Sequence, residues 1–184
     1  AGLGSGGYEG AALPVEGKLR NTRDVCRGAH ACGAAGEAEL GSLAAGERSH
    51  EGSAEDVEAY TDPEAAKQFV DGTGVDALAV SVGTVHGLYK GKPNIRIDIL
   101  NAINEKLNMP LVLHGCSGIP ERDILECIRH GIAKINVNTE ISVYAVDQTK
   151  LYLESAAPHF SELSLRQVGY VKEIVKKYIS FFRE

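Results

Sequence analysis

The sequence lacks the features that mark several protein classes. It has no basic excess: 19 Lys+Arg against 25 Asp+Glu give a net charge of −6. That balance argues against nucleic acid or an anionic membrane as the main partner. No apolar run approaches the roughly 18 residues a bilayer span needs. The first residues, AGLGSGGYEG, have neither the basic start nor the apolar stretch of a secretion signal. Cys26, Cys32, Cys116 and Cys127 form no CxxC pair, so reduced thiols and a cytoplasmic location are expected. Repeats of solenoid length and low-complexity charge tracts are missing too.

Large apolar side chains are scarce at one end. Residues 1–50 hold 11 of the 21 Gly and contain no Ile, Phe, Met or Trp. Such a segment buries little surface alone. It either packs against the rest, is partly disordered, or is the stump of something longer.

The rest of the chain is richer. Thr61-Asp62-Pro63 offers a helix start and Gly72 to Gly74 a stop. Val75–Val82 is an apolar run of strand length ending at Gly83. Ile97–Leu107 predicts a helix with Ile97, Leu100, Ile103 and Leu107 on one face. Pro110–Leu113 predicts a strand, and Pro120 to Gly131 a helix carrying Ile124, Cys127 and Ile128. Ile132–Val137 is a further strand, and helices occupy 139–155 and 162–183. The last has Val168, Val171, Val175, Ile179 and Phe182 at helical spacing, a stripe for the rest of the fold or for a second subunit. Earlier, 8–13 and 34–40 are strand-sized, with a helix over Asn21–Ala31 between them. The alternation predicts an α/β fold of about five parallel units, against eight in a closed barrel.

Polar residues collect where the predicted strands end, the place parallel α/β folds use for chemistry. His86 and His114 follow neighbouring strands, and converging imidazoles suit zinc. Gly115, Ser117 and Gly118 lead to one helix start, and Asn136 to Thr139 lead to the next. Two such turns suggest a phosphate cradle, since backbone N–H groups and helix N-termini favour anions. Ordinary turn glycines and caps are the alternative for each. Glu37 and Glu39, two apart on a strand, share a face, either toward the interior or toward solvent. His30, His50 and His159 are expected on the surface and His130 at a helix end. Glu51, Glu55, Asp56 and Glu58 are expected to form a solvated acidic run.

These segments together resemble the class II, zinc-dependent ketose-bisphosphate aldolases, which include the fructose- and tagatose-1,6-bisphosphate enzymes. The stretches that carry the resemblance are EAELG (37–41), YTDPEAAKQFVDGTGVDALAVSVGTVHGLYKGKP (60–93), PLVLHGCSGIP (110–120) and KINVNTE (134–140). The match is looser over 11–33. The resemblance implies a TIM (β/α)8 barrel, of which one partial domain with strands four to eight is present. Residues 1–55 are a degraded Gly/Ala-rich part, 56–155 well-matched units and 156–184 a C-terminal helix.

It further implies zinc bound by His86 and His114, with Glu39 near the metal. Gly87, Gly115, Cys116, Ser117, Asn136, Val137, Asn138 and Thr139 would bind substrate. Glu47 would be the catalytic group. The implied reaction is reversible aldol cleavage of a ketose bisphosphate to dihydroxyacetone phosphate and glyceraldehyde 3-phosphate, as in glycolysis. Zinc polarises a carbonyl and Glu47 moves the adjacent proton. A homo-oligomer, dimer or tetramer, is the expected assembly, and a non-catalytic sugar-phosphate-binding relative or partner subunit is the alternative.

The sequence also departs from the family pattern. The strand-three aspartate and third zinc histidine have no counterpart here. Glu9-Gly10-Ala11 stands for an Asp-Gly-Ser motif, Ala44-Ala45 for a glycine pair, and Cys116 for Gly or Ala. The chain alone is therefore expected to be inactive.

Overall fold

The computed structural model describes residues 4–8, 14–45, 47 and 60–183. Five strands form one sheet: β1 (Ser5–Tyr8), β2 (Ala35–Leu40), β4 (Ala77–Val80), β6 (Leu111–Leu113) and β7 (Ile132–Ile135). All neighbours are parallel, and their order in space is their order in the chain. Helices α1 (Val15–Ala31), α2 (Pro63–Thr73), α3 (Ile97–Leu107) and α4 (Glu121–Arg129) connect them. A doubly wound sheet would reverse its strand order at a switch point. This sheet never does, so it is a parallel half-barrel. A second sheet pairs β3 (Ala44–Ala45) with β5 (Val85–His86), just beyond the C-terminal ends of β2 and β4. Helices α5 (Thr139–Ser155) and α6 (Phe160–Phe181) complete the chain.

Local chemistry explains the elements. The Asp62 carboxylate accepts from the Ala65 amide at 2.8 Å and caps α2, which stops at Gly74 with φ +72°. Helix α3 has the anticipated limits and buries Leu100 and Ile103 completely. Each such side chain contributes about 1.5–3 kcal/mol by leaving water.

Leu78, Val80, Leu111 and Leu113 join Phe69, Ile124 and Cys127 in the core between sheet and helices. Their neighbours Ala79 and Val112 are buried outside that cluster, because alternate strand residues point to opposite faces. Register puts Glu39 beside Ala79 and Lys134 beside Val112. The inner face of the half-barrel thus carries Glu39, Ala79, Val112 and Lys134 in a row.

Several boundaries differ from expectation. The first strand occupies Ser5–Tyr8 rather than 8–13, because its partners are Ala35 to Ala38; residues 9–13 lie outside the described ones. Helix α1 starts at Val15, directly after Pro14, rather than at Asn21. Three predicted strands are longer than the ladders that form: Val75 and Val82 are buried beyond the ends of β4, whereas Pro110 before β6 and Asn136 after β7 are exposed. The α6 stripe is divided: Val175 and Phe182 are half-buried, Phe182 against the core. Val168, Val171 and Ile179 are exposed, and Ile174 is the buried residue of that helix. The β3–β5 pair was not anticipated.

Candidate metal and phosphate site

Three sequence-predicted residues meet at the C-terminal ends of the strands. Glu39 comes from β2, His86 from β5 and His114 from the residue after β6. Each offers a ligand atom, and these atoms lie within 4.8 Å of one another. The two rings stand edge to face with centroids 6.3 Å apart. His114 Nδ1 lies 2.5 Å from Glu39 Oε2, and its Nε2 lies 3.5 Å from Glu37 Oε1. Glu37 and Glu39 therefore take the interior alternative. Glu37 also binds Lys134 Nζ, at 2.8 and 2.9 Å.

Burial opposes charge on His114, but the hydrogen bond and field of Glu39, with Glu37 behind it, outweigh that penalty. Its pKa is held above the ordinary histidine value. Imidazole nitrogen and carboxylate oxygen are the donor types zinc takes, at about 2.0–2.2 Å. Donors on one such tetrahedral ion lie about 3.4 Å apart. Groups already within 4.8 Å need only a small closing movement, so the donor set fits the metal.

The histidine loops are locked to one another. The Tyr89 hydroxyl donates to Gly115 O at 3.0 Å and accepts from the Val85 amide at 3.2 Å. Gly115 has φ +69°, and a Cβ there would lie 2.3 Å from Val85 O. Only glycine permits this approach. Gly87 is buried with φ +99°.

The two anticipated cradle turns form one unit. Asn136 N donates to Leu113 O at 2.9 Å, and Cys116 N donates to Asn136 O at 3.4 Å. Ser117 is buried, and its Oγ accepts from the Glu140 amide at 3.1 Å. Glu140 Oε2 in turn accepts from the Gly118 amide at 2.9 Å. Asn138 occupies the N-cap position of α5, exposed and without a side-chain capping bond, Thr139 begins that helix, and Val137 is half-buried with Asn136 exposed before it.

Two residues sit differently from a simple ligand role. The Cys116 thiol is buried with Leu113 O and His114 O as its partners, and burial pushes its pKa strongly up. Its side chain serves the core. Glu47 is exposed and stands apart from the metal cluster, but its backbone exchanges two 2.7 Å hydrogen bonds with Leu88, two residues after His86. Glu37, Lys134, Tyr89 and Glu140 were missed as site residues. Glu37 had a signal in its two-residue spacing from Glu39, and Tyr89 and Glu140 in their place within the polar segments that follow strands; Lys134 had none. Glu9–Ala11, His50 and the acidic run lie outside the described residues. His30 pairs with Asp76, His130 bonds Asn101 at the end of α4, and His159 caps α6.

Comparisons with known proteins agree with this geometry. The family model described as fructose-bisphosphate aldolase class-II matches residues 1–184. The chain is 40% identical over 154 residues to the D-tagatose-1,6-bisphosphate aldolase subunit GatY of Klebsiella oxytoca, covering 84% of this chain and 54% of that protein. It is 36% identical over 184 residues to the 6-phospho-5-dehydro-2-deoxy-D-gluconate aldolase of Shouchella clausii (strain KSM-K16), covering 99% and 61%. The crystal structure of the YdjI aldolase from Escherichia coli K12 superposes with a TM-score of 0.81 at 33% identity, over 98% of this chain and 61% of that one. The chain thus spans little more than half the length of the curated relatives it matches.

Proposed function

The chain belongs to the class II fructose-bisphosphate aldolase family, and on that premise we propose that it carries the metal- and phosphate-binding half of a ketose-bisphosphate aldolase. The observation that carries the proposal is the meeting of Glu39, His86 and His114 beside the Gly115–Gly118 turn. In this proposal β1, β2, β4, β6 and β7 are strands four to eight of a (β/α)8 barrel. The reaction is reversible cleavage of a phosphorylated ketose to dihydroxyacetone phosphate and an aldehyde.

His86, His114 and Glu39 would hold zinc, which when bound supplies Lewis-acid polarisation of the substrate carbonyl. The chain's own groups do the rest. Amides of the Gly115–Gly118 turn and the start of α5, other than those of Cys116, Gly118 and Glu140 that already donate within the protein, receive the phosphate, as helix N-termini do. Gly87, Asn136, Val137, Asn138 and Thr139 shape the remainder of that pocket. In the condensation direction Glu47, tethered beside the His86 loop, takes the proton from the carbon of dihydroxyacetone phosphate next to its carbonyl, and in cleavage it returns that proton. A second copy of the chain is the proposed partner, supported by exposed Leu165 and Val168 on α6.

The relatives' names give tagatose 1,6-bisphosphate and 6-phospho-5-dehydro-2-deoxy-D-gluconate and the family's gives fructose bisphosphate, so the proposal is made for the class and not for one sugar. Calorimetric titration of dihydroxyacetone phosphate into the zinc-loaded chain tests it. Binding that needs zinc and weakens in Ser117→Ala supports it. Heat signals no different from buffer, with zinc bound, would refute it.

A further inference from the structure

We infer that Lys134, from β7, is a positioning residue that holds Glu37 out of the metal shell and leaves Glu39 as its one carboxylate. The inference rests on the proposed metal role of Glu39, His86 and His114. Glu37 and Glu39 lie two apart on β2 and reach different nitrogens of the same ring: Glu39 Oε2 is 2.5 Å from His114 Nδ1, and Glu37 Oε1 is 3.5 Å from Nε2. The Glu39 and Glu37 side chains are only 13% and 18% exposed, so each charge needs a partner. By residue type either is an oxygen donor for a dication. Among the described residues, the cluster with ligand atoms within 4.8 Å contains Glu39 and omits Glu37. What separates the two is Lys134, whose Nζ donates to both Glu37 oxygens, at 2.9 and 2.8 Å.

Lys134 reaches Glu37 from across the sheet, since β4 and β6 lie between β2 and β7. Its side chain is 52% exposed, and pairs so exposed add little stability. What the lysine supplies is a resident cation. With both oxygens engaged by an ammonium, Glu37 already has its counter-charge. Removing that ammonium leaves a mostly buried carboxylate beside a metal ligand with its charge uncompensated. The bound metal is then the counter-charge within reach, and Glu37 turns to it. A shell with one more carboxylate shifts preference from zinc toward manganese, because oxygen donors suit the harder ion and imidazole suits zinc.

The test measures zinc and manganese(II) affinities of chain 1–184, Lys134→Met, Lys134→Arg and the double variant Lys134→Met/Glu37→Gln, with X-ray absorption of each zinc-loaded protein. Lys134→Met is expected to move the affinity ratio about tenfold toward manganese and to add an oxygen donor to the zinc shell. Lys134→Arg keeps a cation able to engage both oxygens and should match the parent. The double variant should lose the added oxygen and return to the parent ratio. A smaller folded fraction lowers both affinities alike, so the ratio stays readable in a destabilised variant. Without an added oxygen in Lys134→Met the inference is overturned: an equal gain for both metals marks simple charge removal, and an equal loss marks a structural role. An added oxygen that survives Glu37→Gln overturns it too, since the donor is then another group. These results, with zinc held normally by the parent, leave the proposed function standing. A parent chain that binds no zinc overturns both.

Discussion

Replacing Gly115 by alanine should damage the metal site without touching a ligand atom. Gly115 has φ +69°, and an added Cβ would meet Val85 O at 2.3 Å and Val85 C at 2.7 Å. Ordinary contact needs about 3.5 Å, so the loops must part by about 1 Å. The left-handed backbone costs about 1–2 kcal/mol for a residue with a Cβ, and relieving the clash about 1–3 kcal/mol more. The total is about 2–5 kcal/mol. Val85 precedes His86, and Gly115 comes directly after His114, so the separation falls between the two imidazoles. Metal–ligand distances tolerate only about 0.2 Å, and zinc affinity should drop at least about tenfold. Gly118→Ala is the control: φ is +84°, but the nearest atoms lie 3.9 Å away, leaving backbone strain of about 1–2 kcal/mol. Urea denaturation gives the stabilities, and competition with a chromophoric chelator gives the zinc affinities. If Gly115→Ala binds zinc like the parent and is no less stable than Gly118→Ala, the account of the loop contact is wrong.

Two further outcomes are expected. Asp76 accepts from the Gly36 amide at 2.7 Å and from His30 at 2.8 Å, which together hold its pKa below the usual carboxylate value. A lowered carboxylate pKa gives stability above the unfolded-state value that is lost as pH falls through the folded one. Asp76→Asn should cost about 1 kcal/mol at neutral pH, the side chain being half-exposed, and the difference from the parent should vanish in acid unfolding curves below the lowered pKa. Among the thiols, Cys32 is exposed while Cys26, Cys116 and Cys127 are buried, with Cys127 pushed up to about 12 by burial first and by Asp123 and Glu126 next. A chromogenic disulfide should therefore titrate Cys32 rapidly in the native chain and the other three only after denaturant; fast reaction of Cys116 would contradict the core placement.

Much of the fold was legible because local rules and tertiary packing agree. Asp62 and Gly74 bound α2 by capping chemistry, and the Leu100–Ile103 face fixed α3. Strand limits were less legible: Val75 and Val82 are buried but unpaired in the ladder, and an apolar run reports burial rather than pairing. The β3–β5 pair carried no signal, since Ala44-Ala45 has little preference for strand. Histidines at strand ends gave the metal cluster because parallel sheets direct those ends to one side. The Glu37–Lys134 pair depends on the register across β2, β4, β6 and β7, including the irregularity between Leu111 and Val112, which no local pattern encodes. The α6 stripe was partly legible for a related reason. Helical periodicity identifies a face but not its neighbour, and Ile174, outside that stripe, is the buried residue.

The most direct measurement is equilibrium zinc binding to chain 1–184 and to His86→Ala and His114→Ala, with X-ray absorption to identify the donor atoms. The account predicts about one zinc per chain in a nitrogen- and oxygen-donor shell, with binding lost in either variant. Zinc that binds both variants as tightly as the parent, or a shell without imidazole, would contradict it.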